Sequence, residues 1–359
     1  MTQITLAGCE PRTLLSHLAL YGLGTILQAG GARDVRLGWT GTANPRPCVS
    51  AAGAGDMALA ELVLNHARTH NAGTSWVRRD VTVAVKSQGT QKTATTALMS
   101  PRLSQFAGPS AWELVQQSRQ DVLDELTAGQ HWLDLRFLAA LGEPCYWSRD
   151  QKGDSLQDDG ASRLEMQPRN RGSEFVGTRL RKLADTVARR DAATVLAGLT
   201  GESADDAVGG NAPDSRTSTG LASPGPTDNA LAWCALWGIS QFPLAMRVNP
   251  AGRTAGTALT SGHLRRSRKE WFYAPMWQGA WRPARLRSVL ASRELLTFAG
   301  TGLTGHAGLS DLEISRARAW LHARGVAGTV RFEILKFGSG NAPERRAMSG
   351  HTISVEGTG

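Results

Sequence analysis

The sequence predicts an α+β fold: a mixed N-terminal region of short strands and helices, a Gly-, Ser- and Pro-rich connector, and a mostly helical C-terminal region with some strands. Three observations predict it, namely short segments with apolar alternation, longer segments with helical apolar spacing, and the polar stretch 198–228. The 359 residues are enough for two or three modest domains. The expected division is an N-terminal α/β region (1–150), a basic loop and helix (151–200), a flexible connector (201–228) and a helix-rich C-terminal region (229–359).

The first hundred residues alternate between strand-like and helix-like segments. TQITLAG (2–8) is typical of a short strand, and the apolar spacing after Pro11 predicts a helix that ends at the glycines 30–31. Periodicity is lost over 87–109, which predicts a long polar loop. Further strands are predicted over 35–39, 46–50 and 76–86, and a further helix over 56–70.

Helices follow the polar loop. Ser110 and Glu113 have the spacing of a capping box, which predicts a helix that runs to about residue 128. A second helix is predicted over 132–141 and a surface loop over 148–162. The next helix begins near Ser173 and places its apolar residues on one face.

The C-terminal region begins with Asp228, which is placed to cap the segment NALAWCALWGISQF (229–242). This segment is apolar on nearly every side, so we expect a buried helix. After it come strand-like LAMRV (244–248), a basic loop, EWFYAPMW (270–277), a short helix near 283–292, a helix over 311–324 that begins with a capping box, and a strand over 329–337.

The positive charge is concentrated in two arginine-rich stretches, 163–182 and 263–287, which contain few acids. The formal net charge is +9. Arginine and lysine side chains neutralise successive phosphates, and neighbouring aromatic rings can stack on unpaired bases. This pattern favours a nucleic-acid partner. The alternative is a basic enzyme or scaffold with solvated charged faces, which predicts no salt-dependent affinity for DNA.

Motifs typical of enzymes and of metal sites fail at their defining positions. Gly22 and Gly24 begin a dinucleotide-binding pattern, but Leu27 replaces its third glycine. His66 and His70 are one helical turn apart, without a third ligand at suitable spacing. Cys9, Cys48, Cys145 and Cys234 are isolated from one another, so we expect buried, reduced thiols. The sequence therefore predicts no enzyme activity, no metal and no cofactor.

The sequence also lacks the features that direct a chain to a membrane. It contains no apolar run of the roughly 18 to 20 residues that a membrane-spanning helix needs. The N-terminal MTQITLAGCEPR lacks the charged and then apolar pattern of a signal peptide. We therefore expect a cytoplasmic protein with no membrane partner.

Several segments resemble a known family. LAGCEPRTLLSHLALYGLGTILQAGG (6–31), NRGSEFVGTRLRKLADTVARR (170–190) and SRTSTGLASPGPTDNALAWCALWGISQFPLA (215–245) are similar to a compact large subunit of a CRISPR type I-G (formerly I-U) Cascade effector complex. EWFYAPMW, SRARAWLHARGV and RFEILKFGSG in the C-terminal third fit the same pattern. The resemblance covers most of the chain.

The resemblance implies a non-catalytic subunit of a crRNA-guided DNA surveillance complex in antiviral defence. Such a subunit recognises the protospacer-adjacent motif (PAM), aids opening of the target duplex and R-loop formation, and recruits the helicase-nuclease. The implied partners are crRNA, target double-stranded DNA, the backbone and handle-binding Cascade subunits and the helicase-nuclease. The alternative function is a metal-independent endoribonuclease that processes guide precursor RNA with His17 or His263.

Basic and amide side chains are the candidates for nucleic-acid contacts, because basic groups bind phosphates and amides can read base edges. Trp271 and Phe272 are candidates for stacking on bases, with packing in the core expected for at least one of them. The predicted nucleic-acid-binding residues are Lys86, Gln88, Gln91, Lys92, Arg102, Gln105, Arg169, Asn170, Arg171, Arg179, Lys182, Arg216, Arg265, Arg266, Arg268 and Lys269.

Overall fold

A computed structural model gives the architecture of the chain. Helices and strands are mixed throughout, which confirms the predicted α+β class. The structure describes residues 2–41, 43–87, 90–103, 106–145, 160–166, 174–245, 259–266, 268–303, 310–339 and 342–356.

The helices and strands are numbered in chain order. The helices are α1 (Leu14–Ala29), α2 (Asp56–Asn71), α3 (Pro109–Ala128), α4 (Trp132–Leu141), α5 (Arg181–Ala188), α6 (Ala192–Thr200), α7 (Asn229–Trp237), α8 (Pro283–Leu290), α9 (Arg293–Ala299) and α10 (Asp311–His322). The strands are β1 (Thr2–Thr5), β2 (Arg33–Trp39), β3 (Pro47–Ala52), β4 (Asp80–Ser87), β5 (Thr90–Ala97), β6 (Leu244–Ala245), β7 (Leu259–Thr260), β8 (His263–Arg266), β9 (Lys269–Trp277), β10 (Val326–Ser339), β11 (Ala342–Ala347) and β12 (His351–Ser354). A π-helical turn, Glu174–Leu180, leads into α5.

Helix α1 lies at the centre of the hydrophobic core. All its residues from Leu14 to Leu27 are buried, as expected for a helix that is apolar on nearly every side. It packs closely on α7: a Cβ at Gly22 would lie 1.7 Å from the carbonyl oxygen of Cys234, and one at Gly238 would lie 2.1 Å from that of Leu18. Only glycine permits this approach of the two backbones.

The contact between α1 and α7 bears on the expected division of the chain. These helices stand on opposite sides of the segment 201–228, yet both belong to the same cluster of buried hydrophobic residues. The segment is packed as well: Asp206 is 0% exposed and accepts hydrogen bonds from Ser215 Oγ at 2.5 Å and Asn229 Nδ2 at 2.9 Å. The prediction of a flexible connector is therefore wrong, because its polar residues satisfy one another inside the fold.

The N-terminal strands form a three-stranded antiparallel sheet in the order β1-β3-β2. The edge strand β2 joins the C-terminal half through a bridge in which the Leu37 amide donates to the Trp281 carbonyl at 2.7 Å and the Trp281 amide donates to the Leu37 carbonyl at 2.8 Å. These bonds fix the sheet against the segment between β9 and α8.

The C-terminal half contains a five-stranded antiparallel sheet in the order β11-β10-β9-β8, with β12 also paired to β10. The prediction of a mostly helical C-terminal region is therefore wrong. Strand β9 is buried along nearly its whole length. Such a strand is a continuous apolar run without alternation, so periodicity alone does not distinguish it from a helix.

The predicted polar loop over 87–109 is also wrong in its first part, where Thr90–Ala97 forms strand β5 of a hairpin with β4. In β4, Val81, Val83 and Val85 are buried and alternate with exposed or half-buried residues. Strand β5 lacks this alternation because most of its side chains are polar and exposed. Its threonines are strand formers, but they carry no apolar periodicity.

His17 on α1 is an acid-sensitive group in the core. It is 0% exposed, its Nε2 donates to the Pro11 carbonyl at 2.8 Å, and its Nδ1 accepts from the Tyr21 hydroxyl at 3.3 Å. Burial lowers the pKa of His17 to about 4. The folded protein therefore holds a neutral imidazole at neutral pH.

Acidification is expected to destabilise the fold through His17. Because the unfolded chain binds the proton at about pH 6.5 and the folded chain only near pH 4, the stability present above pH 6.5 is lost as the pH falls through this window. The loss amounts to about 3 kcal/mol of unfolding free energy. Urea unfolding at several pH values should show a shallower pH dependence for His17→Met than for the native chain. Equal pH dependence in the two proteins would contradict a neutral buried His17.

Candidate nucleic-acid interface

One end of the five-stranded sheet gathers cations from four strands. The register places Arg265 opposite Glu270, Glu270 opposite Ile334, and Lys336 opposite Arg345. The β8–β9 turn and the ends of β10 and β11 therefore lie side by side. We call this the basic sheet end, and its cations are Arg265, Arg266, Arg268, Lys269, Lys336, Arg345 and Arg346.

The basic sheet end has an excess of positive charge. The seven cations compare with three carboxylates on the same strands, Glu270, Glu333 and Glu344. Arg265 and Arg268 are exposed, and in the described part of the chain neither forms an ion pair with a carboxylate. Lys269 lies 3.3 Å from Glu333 but remains 67% exposed. A surface pair of this kind is weak, so a polyanion can displace it.

Arg345 of the basic sheet end also belongs to a second group, which we call the arginine cluster and which contains Arg102, Arg163 and Glu165 as well. Arg102 Nε lies 2.5 Å from Glu165 Oε2, and both side chains are almost fully buried. Arg102 Nη2 also donates to the Glu165 carbonyl at 3.2 Å. The prediction that Arg102 contacts nucleic acid is wrong, because its guanidinium is buried against Glu165.

Arg345 lies close to other positive charges of the arginine cluster. Burial, followed by the positive charges of Arg102 and Arg163, lowers the pKa of Arg345 to about 10. Its Nε and Nη1 atoms are buried and have no hydrogen-bond partner among the residues described. A buried guanidinium without partners is costly, and a nearby anion reduces that cost. The arginine cluster therefore adds to the attraction of the basic sheet end for anions.

Glu270 of β9 contacts basic side chains of the two neighbouring strands. Its Oε1 accepts from Lys336 Nζ at 3.0 Å, and its Oε2 lies 3.5 Å from His263 Nε2. The neighbouring His263 and Lys336 side chains keep the pKa of Glu270 well below its usual value. Burial lowers the pKa of His263, whose side chain is 12% exposed. His263 thus lies below the surface that a polyanion would meet.

A second set of predicted residues lies around the β4–β5 hairpin. Gln91 and Lys92 are exposed on β5, Lys86 belongs to β4, and Lys182 is exposed on α5. Arg181 attaches α5 to the base of the hairpin through its Nη2, which lies 2.8 Å from Asp80 Oδ1. The π-helical turn before α5 contains the half-buried Arg179 and contacts β5. Arg179 and Lys182 therefore lie near the hairpin.

The remaining predicted residues have other placements. Arg216 is 60% exposed and pairs at 2.7 Å with Glu344 of β11, so it borders the basic sheet end. Trp271 is 8% and Phe272 1% exposed, so the predicted stacking role is wrong because both rings belong to the core. Gln88, Gln105, Arg169, Asn170 and Arg171 lie outside the described residues.

Sequence reasoning missed Arg163, Lys336, Arg345 and Arg346. Three of them lie in RFEILKF (331–337) and PERRA (343–347), which belong to the paired strands β10 and β11. Pairing Lys336 with Arg345 requires the register, which the sequence alone does not provide.

Comparisons with known proteins do not assign the chain to a family. A scan against protein-family models gave no match, and a search of curated proteins also gave none. Among the described residues there is no group of three His, Cys, Asp or Glu side chains that could hold a metal ion. In the same residues no helix is long and apolar enough to cross a membrane.

Proposed function

We propose that this protein is the large, nucleic-acid-binding subunit of a CRISPR type I-G Cascade effector complex, acting in the cytoplasm without catalysing a reaction. Its partners are crRNA, target double-stranded DNA, the backbone and handle-binding subunits and the helicase-nuclease. It recognises the PAM, aids opening of the duplex and recruits the helicase-nuclease. The observation that carries the proposal is the basic sheet end together with the arginine cluster.

The distribution of charge supports binding to a phosphate backbone. Arg265 and Arg268 are exposed without carboxylate partners in the described part of the chain, and Lys269 is only weakly paired. Flexible cations at a turn can follow a strand of phosphates and release its counterions. Such contacts add affinity and position the DNA without reading its sequence.

The β4–β5 hairpin supports the reading of a short motif. Gln91 and Lys92 are exposed on β5, and a two-stranded ribbon of this width fits the major groove. An amide or amine group can bond to base edges there, and one good bidentate contact discriminates by about 1 to 3 kcal/mol. Guide pairing would supply the rest of the specificity.

The resembling segments are also structurally central. LAGCEPRTLLSHLALYGLGTILQAGG contains α1, and SRTSTGLASPGPTDNALAWCALWGISQFPLA contains α7. These two helices form the close glycine contact of the core. The similarity therefore lies in residues that fix the fold, which supports a shared architecture.

The geometry does not favour the endoribonuclease alternative at either histidine. His17 is 0% exposed, and its two ring nitrogens are engaged with Pro11 and Tyr21. His263 is mostly buried beside Glu270, and its pKa is lowered by burial. A general base must reach the ribose hydroxyl of its substrate. Neither side chain is presented for that contact.

The test is binding of the guide-loaded complex, assembled with and without this chain, to target duplexes with randomised flanking sequence. The measurement is repeated over a range of salt concentrations. We expect motif preference and salt-sensitive affinity to be present with the chain and lost without it. If both persist in its absence, another subunit reads the flank and the proposal fails. Incubation with repeat RNA tests the alternative, since cleavage that His263→Ala abolishes would support a nuclease.

A further inference from the structure

A cleft of about 430 Å³ opens at the other end of the five-stranded sheet. Met276 of β9 and Gly328 of β10 line it, and these two residues are paired in the sheet. Along β10, Ile334 at the basic sheet end lies about 20 Å from Gly328, at roughly 3.3 Å per residue. The cleft is therefore separate from the nucleic-acid interface.

Two arginines on the cleft are held in place by the backbone. Arg12 Nε donates to the Gly350 carbonyl at 3.3 Å, and Arg46 Nη1 donates to the Cys9 carbonyl at 2.6 Å. In the described part of the chain neither guanidinium forms an ion pair. Each is thus fixed through one nitrogen, and the Glu10 carboxylate that lines the same cleft is not ion-paired with either of them. Such a pair of guanidinium groups suits a phosphate monoester, which carries nearly two negative charges.

The rest of the cleft suits a flat, weakly polar part of a ligand. Pro11, Pro45 and Met276 supply apolar walls, and Ala327 and Gly328 of β10 line the cleft beside them. Glu10 also lines the cleft and can accept a hydrogen bond from an amino or hydroxyl group. Small-ligand sites have this composition of mostly apolar lining and a few polar groups.

We propose that this cleft binds a nucleoside monophosphate, with the phosphate on Arg12 and Arg46 and the base against Pro11, Pro45 and Met276. The ligand is either a free nucleotide or the 5′-phosphorylated end of a nucleic-acid strand, since both present the same chemical group. The proposal is independent of the Cascade function, because it uses different residues at a different end of the sheet.

Isothermal titration of the full-length chain with adenosine 5′-monophosphate (AMP), adenosine and inorganic phosphate tests this inference. We expect AMP to bind at least about tenfold more tightly than adenosine or phosphate, because the two arginines and the apolar walls both contribute to its binding. Arg12→Gln and Arg46→Gln should each weaken AMP binding about tenfold, since each removes a charge-assisted contact. Ala327→Leu should also weaken it, because Ala327 lines the cleft and a larger side chain there fills it without changing charge. Arg33→Gln, on the exposed part of β2, is the matched control and should leave it unchanged.

Two octanucleotides distinguish the sources of the ligand. Displacement of AMP by the 5′-phosphorylated form but not by the 5′-hydroxyl form identifies a strand end, and displacement by neither identifies a free nucleotide. Absence of AMP binding, or equal affinity for AMP and adenosine, would overturn the inference. AMP affinity that is unchanged in both Arg12→Gln and Ala327→Leu would also overturn it. Thermal melting of each variant shows that a loss of binding is not a loss of fold.

Discussion

Replacing Gly22 with alanine is expected to lower the free energy of unfolding by about 3 kcal/mol. A Cβ at this position would lie 1.7 Å from the Cys234 carbonyl oxygen and 2.6 Å from the Gly238 amide nitrogen. The first atom belongs to the backbone of α7 and the second to the residue that directly follows this helix. Because neither backbone atom can rotate away, α1 and α7 must move apart. This movement would disturb the buried contacts on both sides of the segment 201–228.

Gly24→Ala is the matched control, because it makes the same change in the same helix. A Cβ at Gly24 would meet the end of the Leu37 side chain at 2.2 Å, and a side chain can shift where a backbone cannot. Both variants gain about 0.8 to 1.0 kcal/mol of helix propensity. Urea denaturation should therefore show a much larger loss for Gly22→Ala. Equal losses in the two variants would contradict the close contact of α1 and α7.

Much of the fold could be predicted where a local signal matches the tertiary environment. The apolar spacing after Pro11 correctly predicted a helix that ends at Gly30, and Asp228 caps α7 by accepting from the Ala230 amide at 2.8 Å. Ser310 and Glu313 form the predicted capping box. The same spacing at Ser110 and Glu113 led to a wrong prediction of the helix start, because α3 begins at Pro109 with Gly108 as its N-cap. A capping motif fixes a helix start only if no residue before it serves as well.

The features that could not be predicted depend on contacts between distant segments. Nothing near Arg102 in the sequence indicates that Glu165 will bury it. Strand β5 has no apolar face of its own and is defined by its pairing with β4. The arginine cluster likewise depends on the fold, which brings the charges of Arg102 and Arg163 near Arg345 of β11. Charge in the sequence therefore indicated the kind of partner, while the position of the candidate site required the fold.

The charge of the basic sheet end leads to the second large expected effect. Changing Arg265, Arg268 and Lys269 together to glutamine should weaken binding to a DNA duplex roughly 100-fold near physiological salt, at about 1 kcal/mol for each contact. The slope of log affinity against log salt concentration should become shallower by up to about 2.7, since each phosphate contact contributes about 0.9. Fluorescence anisotropy across a salt series measures both quantities. Loss of sequence preference is not expected, because phosphate contacts carry no sequence information.

A second triple variant separates local charge from net charge. Arg33, Arg189 and Arg293 are exposed and lie outside the basic sheet end, so their change to glutamine lowers the net charge by the same amount. This control should retain most of the affinity and the steep salt dependence. If both triple variants lose affinity equally, binding follows the overall charge of the chain, and the basic sheet end is not the interface. If only the first variant loses it, the contacts lie where β8, β9, β10 and β11 bring their cations together.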